Sequence, residues 1–179
     1  RNKAKINDDI YVSGTLGDSY MGLLVLKKRI KIKNSLKKYF INQYFKPTIQ
    51  SKLINKINKF ANTSIDISDG LLTDLDKLIN SQKFSYKLML DDIPLSYHLK
   101  KTLKLKKLSK INYISKGDDY QILFTASKSK RGFIKKICYN NKIKIAKIGS
   151  IQSSIKKSII VDHKNRQITV KNKGYFHHF

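Results

Sequence analysis

The sequence predicts an α/β fold, bordering on α+β, in which a mixed β-sheet is flanked by helices. Three observations predict it. Ser64–Ser68 alternates apolar with polar residues, as half-buried strands do, and Asp9–Ser13 is a short β-type run. Longer stretches, among them 32–60 and the residues after Leu71, space their apolar positions as helices do. The two kinds of run are interleaved along the chain instead of being segregated. With 40% apolar residues, eight Gly and two Pro in 179 residues, the composition is that of an ordered chain with a proper core.

The elements are expected in this order. Asp9-Ile-Tyr-Val-Ser is a strand, and Gly14-Thr-Leu-Gly17-Asp18-Ser19 is a tight turn whose Asp18 or Ser19 can cap a helix from Tyr20 to about Ile30. This turn lacks the Lys-Ser/Thr ending of a P-loop. Residues 32–60 form two helices separated by Pro47, with Tyr39, Phe40, Tyr44 and Phe45 as core contacts. A strand ending near Ser68 feeds a helix carrying Leu71, Leu72, Leu75, Leu78 and Ile79. Residues 84–90 make another strand, closed by the turn Asp91-Asp92-Ile93-Pro94, and 95–108 a short Lys-rich helical region. Residues 111–115 lead into Lys116-Gly117-Asp118-Asp119-Tyr120, after which 121–125 are a strand and 127–139 a helix. Residues 142–151, 158–161 and 167–170 alternate as hairpin-like strands.

The most informative stretch is Ile65-Asp66-Ile67-Ser68-Asp69-Gly70-Leu71, a strand running straight into a helix. Free N–H groups at such a junction suit a phosphate, and Asp66 and Asp69 are hard oxygen ligands suited to Mg²⁺. Capping by Ser68 or Asp69 is the structural alternative. Asp74 and Asp76, past the first turn, are expected to project away from Asp66 and Asp69 and to serve solubility or local pairing.

The formal charge of +26 comes from 38 basic residues spread along the chain against 12 acidic ones. A diffuse Lys coat reads as solvated surface and disfavours nucleic acid, whose readers concentrate Arg and aromatics in a patch. Every acid is Asp, and they fall in tight groups, so each is expected to be a ligand, a cap or a turn residue. The single Cys138 excludes an intramolecular disulfide, and the four His form no metal pattern. No apolar run approaches the roughly 20 residues of a membrane span, so a cytoplasmic protein without a membrane partner is expected.

Four motifs, at 10–19 (Ile-Tyr-Val-Ser-Gly-Thr-Leu-Gly-Asp-Ser), 65–71, 117–120 (Gly-Asp-Asp-Tyr) and the terminal Lys-Gly-Tyr-x-His-x-Phe, resemble in order and spacing the C-terminal half of the thiamine-monophosphate kinases. That family belongs to the aminoimidazole ribonucleotide synthetase-like superfamily. The resemblance implies a C-terminal domain of the synthetase type, spanning 1–179 as a single domain of a larger two-domain enzyme whose N-terminal domain is absent from this chain. It implies ATP-dependent phosphorylation of thiamine monophosphate to thiamine diphosphate with Mg²⁺, and a homodimer formed through the N-terminal domain. Asp66 and Asp69 would be the magnesium ligands, Ser68 and Arg1 the ATP contacts, and Asp118 and Tyr175 the contacts to thiamine phosphate. No catalytic nucleophile or base is assigned. Asp118 stands where the family often has Glu, keeping the charge on a side chain one methylene shorter. The fragment alone is expected to be inactive. The competing functions are another kinase or synthetase of the superfamily, or a basic RNA-binding module.

Overall fold

The computed structural model describes residues 3–79 and 82–170. Its strands are β1 (Asp9–Ser13), β2 (Thr63–Asp66), β3 (Ser85–Met89), β4 (Ile122–Ala126), β5 (Ile145–Gln152) and β6 (Ile159–Val161). They form one mixed sheet in the order β2-β4-β1-β5-β3-β6, antiparallel except where β6 runs parallel to β3. The helices are α1 (Asp18–Leu26), α2 (Asn34–Phe45), α3 (Ser51–Ile57), α4 (Leu71–Ile79), α5 (Tyr97–Leu105), α6 (Ile111–Ile114) and α7 (Arg131–Asn141). The α/β class and the flanked mixed sheet are as the alternation predicts.

Residue alternation sends the two sides of the central strands β1, β4 and β5 into separate cores. Ile10 and Val12 of β1 and Leu123 of β4 meet α4, where Leu71, Leu72, Leu75, Leu78 and Ile79 are buried at helical spacing. Tyr11, Phe124 and Ala126 face the other way, onto α3, α7 and Phe60. There Tyr11 stacks on Phe124 with ring centroids 5.1 Å apart and planes 10° from parallel. Each such fully buried large side chain contributes about 1.5–3 kcal/mol of hydrophobic stabilisation. A third cluster joins α1, α2 and α5 through Met21, Phe40, Leu99 and Leu103, giving these helices their own packed corner.

Three elements differ from expectation. Helix α1 stops at Leu26, because Lys28 turns left-handed (φ 54°) in the polar run 27–29. The late strands are not hairpins: β3 lies between β5 and β6, and residues 167–170 contribute one isolated bridge, Val161 to Gln167, in place of a strand. Ile111–Ile114, expected only as a lead-in, is a short helix. Among the described residues no helix is long and apolar enough to cross a membrane.

The turn before α5 gives a direct test of capping. Ser96 Oγ accepts the Leu99 N–H at 3.0 Å and donates to the buried Asp18 carboxylate at 2.7 Å. Ser96→Ala removes both bonds, and we expect it to lower unfolding free energy by about 1–2 kcal/mol, read from the denaturant midpoint at constant m-value.

Candidate functional site

Strand β2 is an edge strand, and its alternation places Ile65 and Ile67 on the core while Ser64 and Asp66 remain exposed. Beyond β2 the pairing continues without side-chain help. Ile67 donates its N–H to Gln121 O (2.9 Å), Tyr120 to Ile67 O (2.9 Å) and Asp118 to Ser68 O (3.0 Å). The stretch after β2 and the Gly-Asp-Asp-Tyr segment therefore run side by side at one end of the sheet. Two glycines make the approach possible. A Cβ on Gly117 would lie 1.7 Å from Ser68 O, and one on Gly70, whose φ is +111°, would lie 2.3 Å from Ser115 O.

This interlock brings Ser68, Asp69 and Asp118 together, all half-buried, beside the exposed Asp66. Burial, and then the negative charge of Asp69, push the Asp118 carboxyl above its ordinary pKa. Carboxylates crowded in this way favour a cation between them. Arg1 and Tyr175 lie outside the described residues.

Two amides that the sequence seemed to offer a phosphate are already used. The fully buried Asp74 accepts the N–H groups of both Ser68 and Asp69 through Oδ2, each at 2.9 Å. Asp74 thus turns inward to brace the loop, correcting the expectation that it projects away for solubility. Its Oδ1 lies 3.2 Å from Lys77 Nζ, and the same ammonium pairs with Asp69. Asp76 serves local pairing as expected, with the Tyr86 hydroxyl.

Asp119 is the second residue that sequence reasoning missed. Where Asp118 faces outward, Asp119 is buried and accepts the Gly17 N–H at 2.8 Å, fixing the start of α1. Burial holds its carboxyl well above the usual range. Nearby Asp18 accepts hydroxyls from Thr15, Tyr39 and Ser96, and burial raises its pKa too. A polar cleft of about 460 Å³, lined by Gly14, Asp18, Asp119 and Gln121 among others, lies between these groups. Asp74 had a visible signal, lying one helical turn after Gly70, whereas Asp119 had none nearby, since its partner Gly17 is 102 residues away.

Among the described residues no group of three or more His, Cys, Asp or Glu could hold a metal ion by itself. Magnesium does not require one: it typically takes one or two carboxylates, completing its shell with water and substrate phosphates. Asp66 and Asp69 fit that role as hard donors.

No protein-family model matches the chain. A thiamine-monophosphate kinase from Buchnera aphidicola subsp. Acyrthosiphon pisum is 35% identical over 182 residues, covering 99% of this chain and 54% of the relative. The chain thus spans about half the length of the curated relatives it matches. Among solved structures, the thiamine-monophosphate kinase of Stenotrophomonas maltophilia superposes with a TM-score of 0.77 at 25% identity, covering 90% of this chain and 51% of that one. AaThiL complexed with AMPPCP and TMP superposes with a TM-score of 0.75 at 28% identity, covering 97% and 53%.

Proposed function

Because the chain is homologous along 99% of its length to thiamine-monophosphate kinases, we propose that it supplies the C-terminal half of an enzyme that phosphorylates thiamine monophosphate to thiamine diphosphate with ATP. The observation that carries this reading is the interlock of residues 67–70 with 117–121, which gathers Asp69, Ser68 and Asp118 beside Asp66. The AaThiL complex with AMPPCP and TMP supports the choice of co-substrate and substrate.

In this mechanism Asp66 and Asp69 hold Mg²⁺, Ser68 and Arg1 contact ATP, and Asp118 and Tyr175 contact the thiamine phosphate. Magnesium, when bound, neutralises phosphate charge and so stabilises phosphoryl transfer. The chain's own work is positioning. Asp74 fixes the backbone from which Ser68 and Asp69 project, and the Asp118–Ser68 bond sets the spacing between the ATP-contacting and substrate-contacting loops. The acceptor is a phosphate monoester oxygen, already anionic near neutrality because its second pKa is about 6. No side chain has to remove a proton, in keeping with the absence of an assigned base. A second half, homodimerisation through it, and a cytoplasmic setting complete the proposal.

The test is a coupled turnover assay on the intact protein with ATP, Mg²⁺ and thiamine monophosphate. Thiamine diphosphate should accumulate with the intact protein and not with residues 1–179 alone. A folded, ATP-binding intact protein that forms no thiamine diphosphate refutes the substrate assignment.

A further inference from the structure

Lys77 lies on α4 two turns beyond Asp69, and its ammonium bridges two carboxylates of unequal character. One is Asp69, on the loop and accessible to solvent; the other is Asp74, whose side chain is 1% exposed. Asp74 is committed to the Ser68 and Asp69 amides through Oδ2, so only its Oδ1 faces Lys77. The Lys77 side chain itself is 43% exposed, free to swing on its four-carbon stem. Asp118, on the segment tied to this loop through its N–H bond to Ser68 O, brings a third carboxylate close to Asp69. A loop carrying this much negative charge needs a cation at all times, not only when magnesium is bound.

We propose that Lys77 is a resident cation at the metal loop. It occupies Asp69 while no divalent ion is present and yields that carboxylate when one binds, remaining paired with Asp74. The proposal rests on reading Asp69 as a magnesium ligand. Its physical basis is the geometry of the bridge. If Lys77 touched Asp69 alone, a metal ion would have to expel an ammonium into solvent with no second partner. With Asp74 Oδ1 at 3.2 Å, the ammonium gives up one partner and keeps the other, and the buried Asp74 charge is never left uncompensated. Lys77 is therefore a positioning residue with two consequences that oppose each other: it stabilises the metal-free loop and competes with the metal.

The experiment uses Mn²⁺ as the probe, titrated into the intact protein without nucleotide and followed by the electron paramagnetic resonance signal of the free ion. Lys77→Met should bind Mn²⁺ about fivefold more tightly than the parent, the size expected for removing a partly exposed competing charge. Lys77→Arg, which keeps the charge, should bind no more tightly than the parent. In chelator Lys77→Met should melt below the parent, and saturating Mn²⁺ should close that gap. A purely structural Lys77 would lower the melting temperature without tightening Mn²⁺ binding, so unchanged or weaker affinity in Lys77→Met overturns the proposal. Asp69→Asn separates the two readings. If it weakens Mn²⁺ binding while Lys77→Met does nothing, the metal loop stands and the role of Lys77 falls. If Asp69→Asn binds Mn²⁺ like the parent, Asp69 is not a ligand and both fall.

Discussion

Asp66→Asn in the intact protein should lower the rate of thiamine diphosphate formation by about a hundredfold or more, which is roughly 2.7 kcal/mol of transition-state stabilisation. The size follows from what the side chain does not do in the fold. Asp66 is exposed at the end of an edge strand, where its backbone pairs with Ile122, so replacing one carboxylate oxygen by an amide leaves the strand intact. The variant should therefore keep the parent's thermal midpoint within a degree or two, and only turnover and its Mg²⁺ dependence should change. A variant that retains more than a tenth of the parent rate at saturating Mg²⁺ removes Asp66 from the metal site.

Gly117→Ala should act on both stability and activity. An added methyl group would meet Ser68 O at 1.7 Å, and Ser68 O is the acceptor for the Asp118 N–H, so the clash falls on the bond that joins the two loops. The backbone has to separate there, at a cost of about 2–3 kcal/mol or more for an overpacked site that cannot relax through a flexible side chain. Turnover should fall with it, since Ser68 and Asp118 lose their common spacing. Gly132→Ala supplies the control. It lies in α7 with nothing within 4 Å of its added Cβ, so the same change should be neutral or stabilising by about 0.5–1 kcal/mol. Chemical denaturation of the two variants side by side distinguishes a steric cost from a generic glycine effect.

Much of this was legible in the sequence because it depends on local rules. The short β-type run at 9–13 and the alternation in 64–66 gave β1 and β2, and the spacing of Leu71, Leu72, Leu75 and Leu78 gave the buried face of α4. The scarcity of acids pointed to Asp with specific work, and Asp8, Asp18, Asp74 and Asp119 are indeed buried in hydrogen-bonded positions. What was not legible depends on partners far away in the chain. Nothing near residue 119 states that its carboxylate will receive an N–H from residue 17, whereas the claim of Asp74 on the Ser68 and Asp69 amides is local, six and five residues away, and was within reach of helix spacing. The strand expected at 167–170 failed for a related reason: alternation makes a segment competent to pair, yet pairing needs an open sheet edge in register, and here only Gln167 finds one.

The strand order has a consequence for how the molecule is made. Among the described strands β1 is synthesised first and occupies the middle of the sheet, but its two neighbours, β4 and β5, come more than a hundred residues later. At about 5–20 residues per second, translation leaves it without partners for on the order of ten seconds. Through that interval Ile10, Tyr11 and Val12 belong to an apolar segment with both edges open, the kind of segment that sticks to other nascent chains. Production of this protein is thus set to depend on holding chaperones and on growth temperature more than its finished stability would suggest.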